Sequence, residues 1–599
     1  MLSKSLWHAG TRATILLLFS LIASLTLPAQ VGITLRPSLP SPQPVGTSIL
    51  WTATLNGATG SPFYRFLTHP TGSIAWNLVR DNSQVKTLPW TVLQEGSYDV
   101  SVFATVGAKI YQAQASFQFI SRVTAGVPVV SSTQNPLVAL YSAPPCPSGS
   151  ISVSFWQASG GPKQTTPAQT CQPSLSSNFY IEGLRTGTPY TIQQQVVVGG
   201  QTISGPMLGF KPGKINYPLP TFNIVTPPNS QTSSNDDVML VAFKALKNSP
   251  PYYPPAAYDL LGNVLWYYWN PESPKTPQNG YLLRPVAGGT MLVFEDPGNA
   301  LREIDAAGNL VRETNKFPIN SQLQKLGQAT TTCLSHEALR LPNGHTVTIG
   351  SVEKMLTNVQ GPGPVDVLGD LVIDLDQNFQ VAWTWNSFDF LDTSRKAVLG
   401  EKYSGSCPLS LAPQANDWTH ANSLLLTSDG NLLLSLRNQD WIVKINYQNG
   451  TGDGHVIWSL GPGGDFSIVS SDPWPWFSHQ HDIEFDGVNY EVFDNGNTRV
   501  APPPIGLGSG NSRGYVFSLD ENAMTTTVLL AADLGTYSPA FGSAELLSNG
   551  NYFFLSGNIT TGGGQTTELL PSGAPNLDFF WRSAAYRSFR MTDLYTYTQ

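Results

Sequence analysis

The stretch Ala338-Leu339-Arg340-Leu341-Pro342-Asn343-Gly344-His345-Thr346-Val347 reads as a strand, a turn dipeptide and a second strand. It recurs as Ser423-Leu424-Leu425-Leu426-Thr427-Ser428-Asp429-Gly430-Asn431-Leu432 and as Ala544-Glu545-Leu546-Leu547-Ser548-Asn549-Gly550-Asn551-Tyr552-Phe553. A degenerate copy starts at Ile483, with Asp486-Gly487 at its turn. Asn-Gly and Asp-Gly favour tight hairpins whose twist matches that of the flanking strands. A second phrase follows each first one: an Ile/Val-rich strand, a polar turn, and a strand often ending in Trp. Examples run from Leu371-Val372-Ile373-Asp374 to Ala382-Trp383-Thr384-Trp385, and from Ile442-Val443-Lys444-Ile445-Asn446 to Val456-Ile457-Trp458. Looser copies lie at Ala257-Tyr258-Asp259 to Leu265-Trp266 and at Leu301-Arg302-Glu303-Ile304-Asp305 to Val311. Two hairpins make a four-stranded blade. The repeats fall at about 237–270, 281–315, 336–386, 420–460, 481–530 and 542–585. Six such sheets arranged radially predict a six-bladed β-propeller over 237–599. Insertions are expected at 315–335 and 386–419.

The residues upstream differ in style. Short alternating runs such as Ser48-Ile49-Leu50-Trp51-Thr52-Ala53 and Tyr98-Asp99-Val100-Ser101-Val102-Phe103 predict an immunoglobulin-like β-sandwich over 30–124. The same pattern continues over 125–217. There Gly183-Leu184-Arg185-Thr186-Gly187-Thr188-Pro189-Tyr190-Thr191-Ile192 resembles a corner of fibronectin type III domains. Pro218, Pro220, Pro227 and Pro228 mark 218–236 as a linker. The expected class is all-β: a propeller preceded by one or two β-sandwich domains.

Composition agrees with an extracytoplasmic β-protein. Of 599 residues, 12% are charged, against about 25% on average. The net charge is −8 with no Lys/Arg cluster, which argues against nucleic-acid binding. Lys4 and Arg12 precede an apolar run from Ile15 to Leu27, and Ala29 follows, as in a secretory signal peptide spanning 1–29. A periplasmic or secreted protein is expected, with no membrane span after cleavage. The cysteines are Cys146, Cys171, Cys333 and Cys407. An even count in an exported chain predicts disulfides, and nearness in the chain pairs 146 with 171 and 333 with 407. No CxxC spacing suggests a metal.

Of eight histidines, His8 falls in the leader, His69 in the first sandwich, and His345 and His455 at hairpin turns. His336, His420 and His481 open blades three, four and five at matching positions. Innermost strands line the axial channel, so these imidazoles should converge at one mouth. Such a set can act as nucleophile, acid or, on a weaker reading, metal ligands. His479 shares the phase of His481. Arg437, read as part of an apolar strand, must find an anion, either a carboxylate or a substrate. Asn422, two residues after His420, should point the same way.

Trp418-Thr419-His420-Ala421-Asn422-Ser423, Ser435-Leu436-Arg437-Asn438, Phe477-Ser478-His479-Gln480-His481-Asp482 and Phe493-Asp494-Asn495-Gly496 resemble bacterial arylsulfate sulfotransferases, as does the closing Tyr586-Arg587-Ser588-Phe589-Arg590. The resemblance spans about 230–599. It implies an exported propeller enzyme that moves a sulfuryl group from an aryl sulfate to a phenol by a ping-pong route, with no cofactor and no nucleotide sulfate donor. By that resemblance His481 is the nucleophile, with His479 the other candidate. His336, His420 and Arg437 hold the sulfuryl oxygens and assist the leaving phenolate. Asn422, Ser543 and His479 complete the substrate-binding set. Trp418, Trp474, Trp476 and Phe477 could stack on the aryl ring. The resemblance leads to one sandwich, whereas two precede this propeller. Their roles are packing on the propeller, homodimer formation or cell-surface binding. Two other readings were open: a quinone-cofactor propeller dehydrogenase, disfavoured by histidines where acidic calcium ligands belong, and a non-catalytic adhesion-type binding protein. Cys333 lies three residues before His336, so a disulfide there would position that histidine.

Overall fold

The structure is a computed structural model that describes residues 32–215, 217–244, 253–272, 282–295, 300–405 and 407–596. The expected signal peptide lies outside the described residues. Among those described, no helix is long and apolar enough to cross a membrane.

Six blades, each with a four-stranded antiparallel core, form the propeller, and four of them are extended by further strands. Blades 2 to 6 each start with the innermost strand: Leu283–Val286, Leu334–Arg340, Ala421–Leu426, His481–Phe485 and Ser543–Leu546. Blade 1 differs from the expectation of two local hairpins. Only Val238–Lys244, Ala256–Asp259 and Val264–Tyr267 come from its own stretch. Its innermost strand is Ala584–Met591, which pairs with Val238–Lys244 and closes the ring. The expected 218–236 linker also contributes a strand, Asn223–Thr226, which pairs with Pro575–Trp581 on the outside of blade 6. The insertion at 315–335 carries the helix Lys316–Lys325, N-capped by Asn315, whose side chain accepts from the Phe317 N–H.

The repeated turns use glycine as expected but hold one residue more than a two-residue hairpin. Leu341 N–H donates to His345 O, and Gly344 N–H donates back to Leu341 O. Gly344, Gly430 and Gly550 have φ of +84°, +80° and +87°, while Asn343, Asp429 and Asn549 do not enter the left-handed region. These are three-residue loops with glycine at the left-handed position.

Upstream, Gly32–Pro37, Ile49–Asn56 and Thr87–Trp90 form one sheet of the first sandwich. It packs through Trp51, Phe66 and Val100 on a sheet containing Phe63–Pro70, Asn77–Ser83, Gly96–Val106 and Lys109–Ile120. That second sheet does not end at the sandwich. Asn77–Ser83 runs parallel to Leu310–Asn315 of blade 2, so nine strands make one continuous sheet. Arg80 seals the join, paired with Glu272 at 2.7 Å and Glu313 at 3.2 Å. The other sandwich encloses the buried Cys146–Cys171 disulfide and docks through Tyr180, whose hydroxyl donates to Asp305 Oδ2 at 3.0 Å.

Charge fills the propeller axis. Arg587 of blade 1 pairs with Glu337 of blade 3 at 2.6 Å and with Asp482 of blade 5, and donates to Asn422 O of blade 4 at 2.8 Å. Arg284 of blade 2 pairs with Glu337 at 3.1 Å and reaches Glu484 of blade 5 at 3.6 Å. Burial, then the neighbouring Asp482, pushes the Glu484 carboxyl up to about 8. Two guanidinium groups thus face the acidic side chains of Glu337, Asp482 and Glu484. Arg587→Met leaves Glu337 and Asp482 without that cation. It should cost about 3–5 kcal/mol, read as a lower denaturant midpoint. An unchanged midpoint would contradict this axial role.

Candidate active site

Blades 3, 4 and 5 share a distortion at the start of their innermost strands. The register slips between Ser335 and Ala338, between Ala421 and Ser423, and between His481 and Glu484. Near these bulges the backbone turns left-handed at His336 (φ 64°), His420 (φ 52°) and Asp482 (φ 60°). Bulges re-aim side chains, and left-handed non-glycine residues cost on the order of 1–3 kcal/mol, so all three are held by their surroundings.

The histidines meet as expected, but their environments differ. The rings of His336 and His420 lie edge to face with centroids 4.8 Å apart. His336 Nδ1 is buried without a hydrogen-bond partner. Burial, then His420 and His481, holds the His336 pKa well below the usual imidazole value. His481 is 2% exposed, and its pKa is likewise pulled well down by burial and by Arg437. Its Nδ1 lies 2.7 Å from Asn495 Oδ1. Both amide hydrogens of Asn495 go elsewhere, to Ser538 O at 2.6 Å and Phe541 O at 3.1 Å. Asn495 can therefore only accept from the imidazole, which fixes the Nδ1–H tautomer and leaves the lone pair on Nε2. The Phe541 N–H donates to that lone pair at 3.3 Å.

His479 takes a different part. Nε2 contacts Glu401, and Nδ1 lies 2.9 Å from Asp440 Oδ1, off the hydrogen-bond line. Burial opposes its charge, but Asp440 and Glu401 outweigh burial and raise the pKa. With a carboxylate beside each nitrogen, His479 ties the 386–419 insertion to blade 5 through Glu401. His69, His345 and His455 each meet a carboxylate outside the ring, Asp99, Asp374 and Asp453 respectively.

Arg437 is not in a strand. The strand Leu432–Leu436 ends before it, and Arg437–Gln439 is a 3₁₀ turn. Its guanidinium donates to Asn438 Oδ1 at 2.7 Å and Pro539 O at 3.0 Å. Among the described residues no carboxylate lies within ion-pair distance of it. Glu401, Asp417 and Asp440 act on it from farther away.

Two expected contacts are used structurally instead. The bulge breaks the alternation that was to align Asn422 with His420. The fully buried Asn422 side chain donates to Gln480 O at 2.7 Å, and its Oδ1 has no partner. Ser543 Oγ donates to Ser588 O and accepts from Ser588 N, tying blade 6 to blade 1. The aromatic expectation also changes. Trp418 and Phe477 are buried against Phe388 and against Tyr515 and Phe517. Trp474 and Trp476 stay half-buried, where their carbonyls accept from Arg513. The rings beside the histidines are Tyr586, 6.0 Å from His336, and Phe541, 5.6 Å from Tyr586. Sequence reasoning missed Phe541, Asp417 and the part played by Asn495. An Asp three residues before a paired histidine was the one available signal. Among the described residues no group of three His, Cys, Asp or Glu is placed to hold a metal ion.

The model of the arylsulfotransferase family matches residues 225–584. This chain belongs to that family. The match covers the propeller up to the start of its closing strand, including the three histidines and Arg437. No curated protein matches this arylsulfotransferase. Among solved structures, it is similar to a protein of unknown function from Bacteroides caccae, at 9% identity over 59% of this chain and 97% of the other, with a TM-score of 0.34. It is also similar to a quinonprotein alcohol dehydrogenase-like protein from Bacteroides thetaiotaomicron (13% identity, 92% and 97% covered, TM-score 0.29). A third is a two-domain fibronectin type III segment of chicken tenascin (18%, 30% and 99%, TM-score 0.15).

The Cys333–Cys407 disulfide, with Cα atoms 5.7 Å apart, ties the 386–419 insertion to the strand that carries His336. Reduction, or Cys407→Ser, should lower the enzyme's turnover. Full activity in the reduced protein would show that the tie does not position the site. The His479 clamp carries a pH signature. A raised imidazole pKa stabilises the fold fully below the ordinary value of 6.5, and that contribution is lost as pH rises through the raised value. The stability gap between wild type and His479→Gln, from denaturant midpoints, should therefore shrink toward alkaline pH. A gap independent of pH would mean that His479 is neutral in the fold.

Proposed function

We propose that this arylsulfotransferase is an exported enzyme that moves a sulfuryl group from an aryl sulfate to a phenol in two displacements, through a sulfo-histidine at His481. The observation that carries the reading is the Asn495 bond, which presents the lone pair of a neutral imidazole at Nε2. His479 is fully buried with a carboxylate beside each ring nitrogen, which favours its protonated form over a free nucleophile. In the first step Nε2 attacks sulfur, the S–O bond to the aryl group breaks, and the phenol oxygen departs with a proton. In the second, an acceptor phenol gives up its proton, its oxygen attacks sulfur, and the N–S bond breaks.

The supporting residues divide the remaining work. The sulfuryl group in flight bears negative charge on its oxygens. Arg437, without a direct ion-pair partner among the described residues, stabilises that charge in a dry site. His336 and His420 stand where a proton can be exchanged with the phenol oxygen. Phe541 and Tyr586 offer apolar faces to the aryl ring. Two disulfides among the described residues support an oxidising compartment, in keeping with export.

The test is phenolate release from a chromogenic aryl sulfate by the mature protein, with and without an added phenol. Release should depend on the acceptor, and mass spectrometry of the donor-treated enzyme should find one SO₃ on the His481 peptide. His481→Asn should lower turnover by at least about 10³-fold, and Arg437→Ala by about 10²–10³-fold. Acceptor-independent release would make the enzyme a hydrolase. Undiminished release in His481→Asn would remove His481 as nucleophile.

A further inference from the structure

His336 and His420 stand side by side, yet only one has a carboxylate. Asp417 Oδ2 lies 2.7 Å from His420 Nδ1. Among the described residues His336 makes no ion pair, and its Nδ1 is unpartnered. Asp417 is fixed on three sides. It sits in the two-residue strand Asn416–Asp417, alongside Leu368 of blade 3. Its N–H donates to Glu401 O at 3.1 Å, and its carbonyl accepts from Asn438 Nδ2 at 2.7 Å. A carboxylate only accepts, so His420 must carry its proton on Nδ1 and turn Nε2 outward. The His420 side chain is 24% exposed, and Nε2 is the ring nitrogen that Asp417 leaves free.

We infer that Asp417 is a positioning residue that makes His420, not His336, the group exchanging a proton with the phenol oxygen. This rests on the transfer reading above. His420 enters the first displacement as the imidazolium. Its Nε2–H passes to the aryl oxygen as the S–O bond breaks and the N–S bond forms at His481, so a neutral phenol leaves. In the second displacement the same Nε2 takes the acceptor's proton as the acceptor oxygen attacks sulfur and the N–S bond breaks. The proton is restored and no co-reactant is needed.

The charged surroundings of His420 fit this division. Asp417 faces it from the tail of the insertion, and Arg437 follows from the next turn, its N–H donating to His420 O at 3.2 Å. Asp370 lies behind, accepting from Thr419 Oγ1 and Ala421 N, with its carboxyl pushed up to about 6 by burial. The His336 and His481 rings complete the surroundings. Burial raises the Asp417 carboxyl, but His420, Arg437 and Asn438 more than offset this, so it stays ionised. A proton on His336 is opposed by burial, by both other histidines, and by Lys244 and Arg587.

The experiment compares wild type, Asp417→Asn, His420→Gln, His336→Gln and the Asp417→Asn/His420→Gln double variant on aryl sulfates whose leaving phenols range from strongly to weakly acidic. A proton donor matters most when the leaving phenol is weakly acidic. Asp417→Asn should slow release of weakly acidic phenols by about 10²-fold or more and leave the most acidic nearly unaffected. In the His420→Gln background the same change should add nothing, because Asp417 acts through His420. His336→Gln should show no such dependence on the leaving group. A loss in Asp417→Asn that is uniform across the series overturns the assignment alone, as does a leaving-group dependence confined to His336→Gln. A wild type inert on every donor overturns the transfer reading and this assignment with it.

Discussion

Arg587 reaches from the innermost strand of blade 1 across the axis to Glu337 of blade 3, Asp482 of blade 5 and the Asn422 carbonyl of blade 4. Each of those residues adjoins a histidine of the site. Glu337 follows His336, Asp482 follows His481, and Asn422 lies two residues after His420. The pairing that fills the channel therefore also sets how far each imidazole stands above it. Because a buried guanidinium must keep its carboxylates, the three blades cannot shift independently. The bulges at the strand starts then let one residue point into the axis and its neighbour into the site.

The same burial that makes the axis costly makes the site reactive. His336 and His481 lose their charge to desolvation, and a neutral imidazole is what nucleophilic attack requires. Arg437 has hydrogen bonds to an amide and a carbonyl, and Glu401, Asp417 and Asp440 act on it from beyond ion-pair distance. A guanidinium without a direct ion-pair partner among the described residues, beside a neutral base, suits a small oxyanion carried on an apolar body better than a cation. Asn495 and Asp417 act on two histidines in different ways. A neutral acceptor at His481 fixes the tautomer without adding charge, whereas the carboxylate at His420 accommodates a proton.

Much of this was legible in the chain because it is local. The Asn-Gly and Asp-Gly turns, the Trp-ending strands and the matched positions of His336, His420 and His481 are short-range patterns, and the structure follows them. The disulfide pairs also follow their nearness in sequence. Failures came where distant segments meet. No local pattern announces that Ala584–Met591 completes blade 1, that Asn223–Thr226 extends blade 6, or that Asn77–Ser83 continues blade 2. Within the site, strand alternation misplaced Asn422 because a bulge intervenes. Trp418 and Phe477 are buried by residues that no local pattern brings to them, Phe388 within the insertion and Tyr515 and Phe517 of blade 5. His479 shares the phase of His481 and reads as the other candidate nucleophile, whereas Glu401, far away in sequence, sits against its Nε2.

Ring closure by the final strand has a consequence for when this protein becomes an enzyme. Every histidine of the site, Arg437, Asn495 and Asp417 precede residue 584, yet the guanidinium that seats them belongs to the strand Ala584–Met591, which follows all of them. During synthesis the earlier blades can form their hairpins one by one, since their contacts are local. The register between blades waits for a contact that spans the whole propeller, the slowest kind to make. Catalytic competence is therefore acquired all at once and late, so a partly made chain holds the full complement of reactive groups without the means to use them.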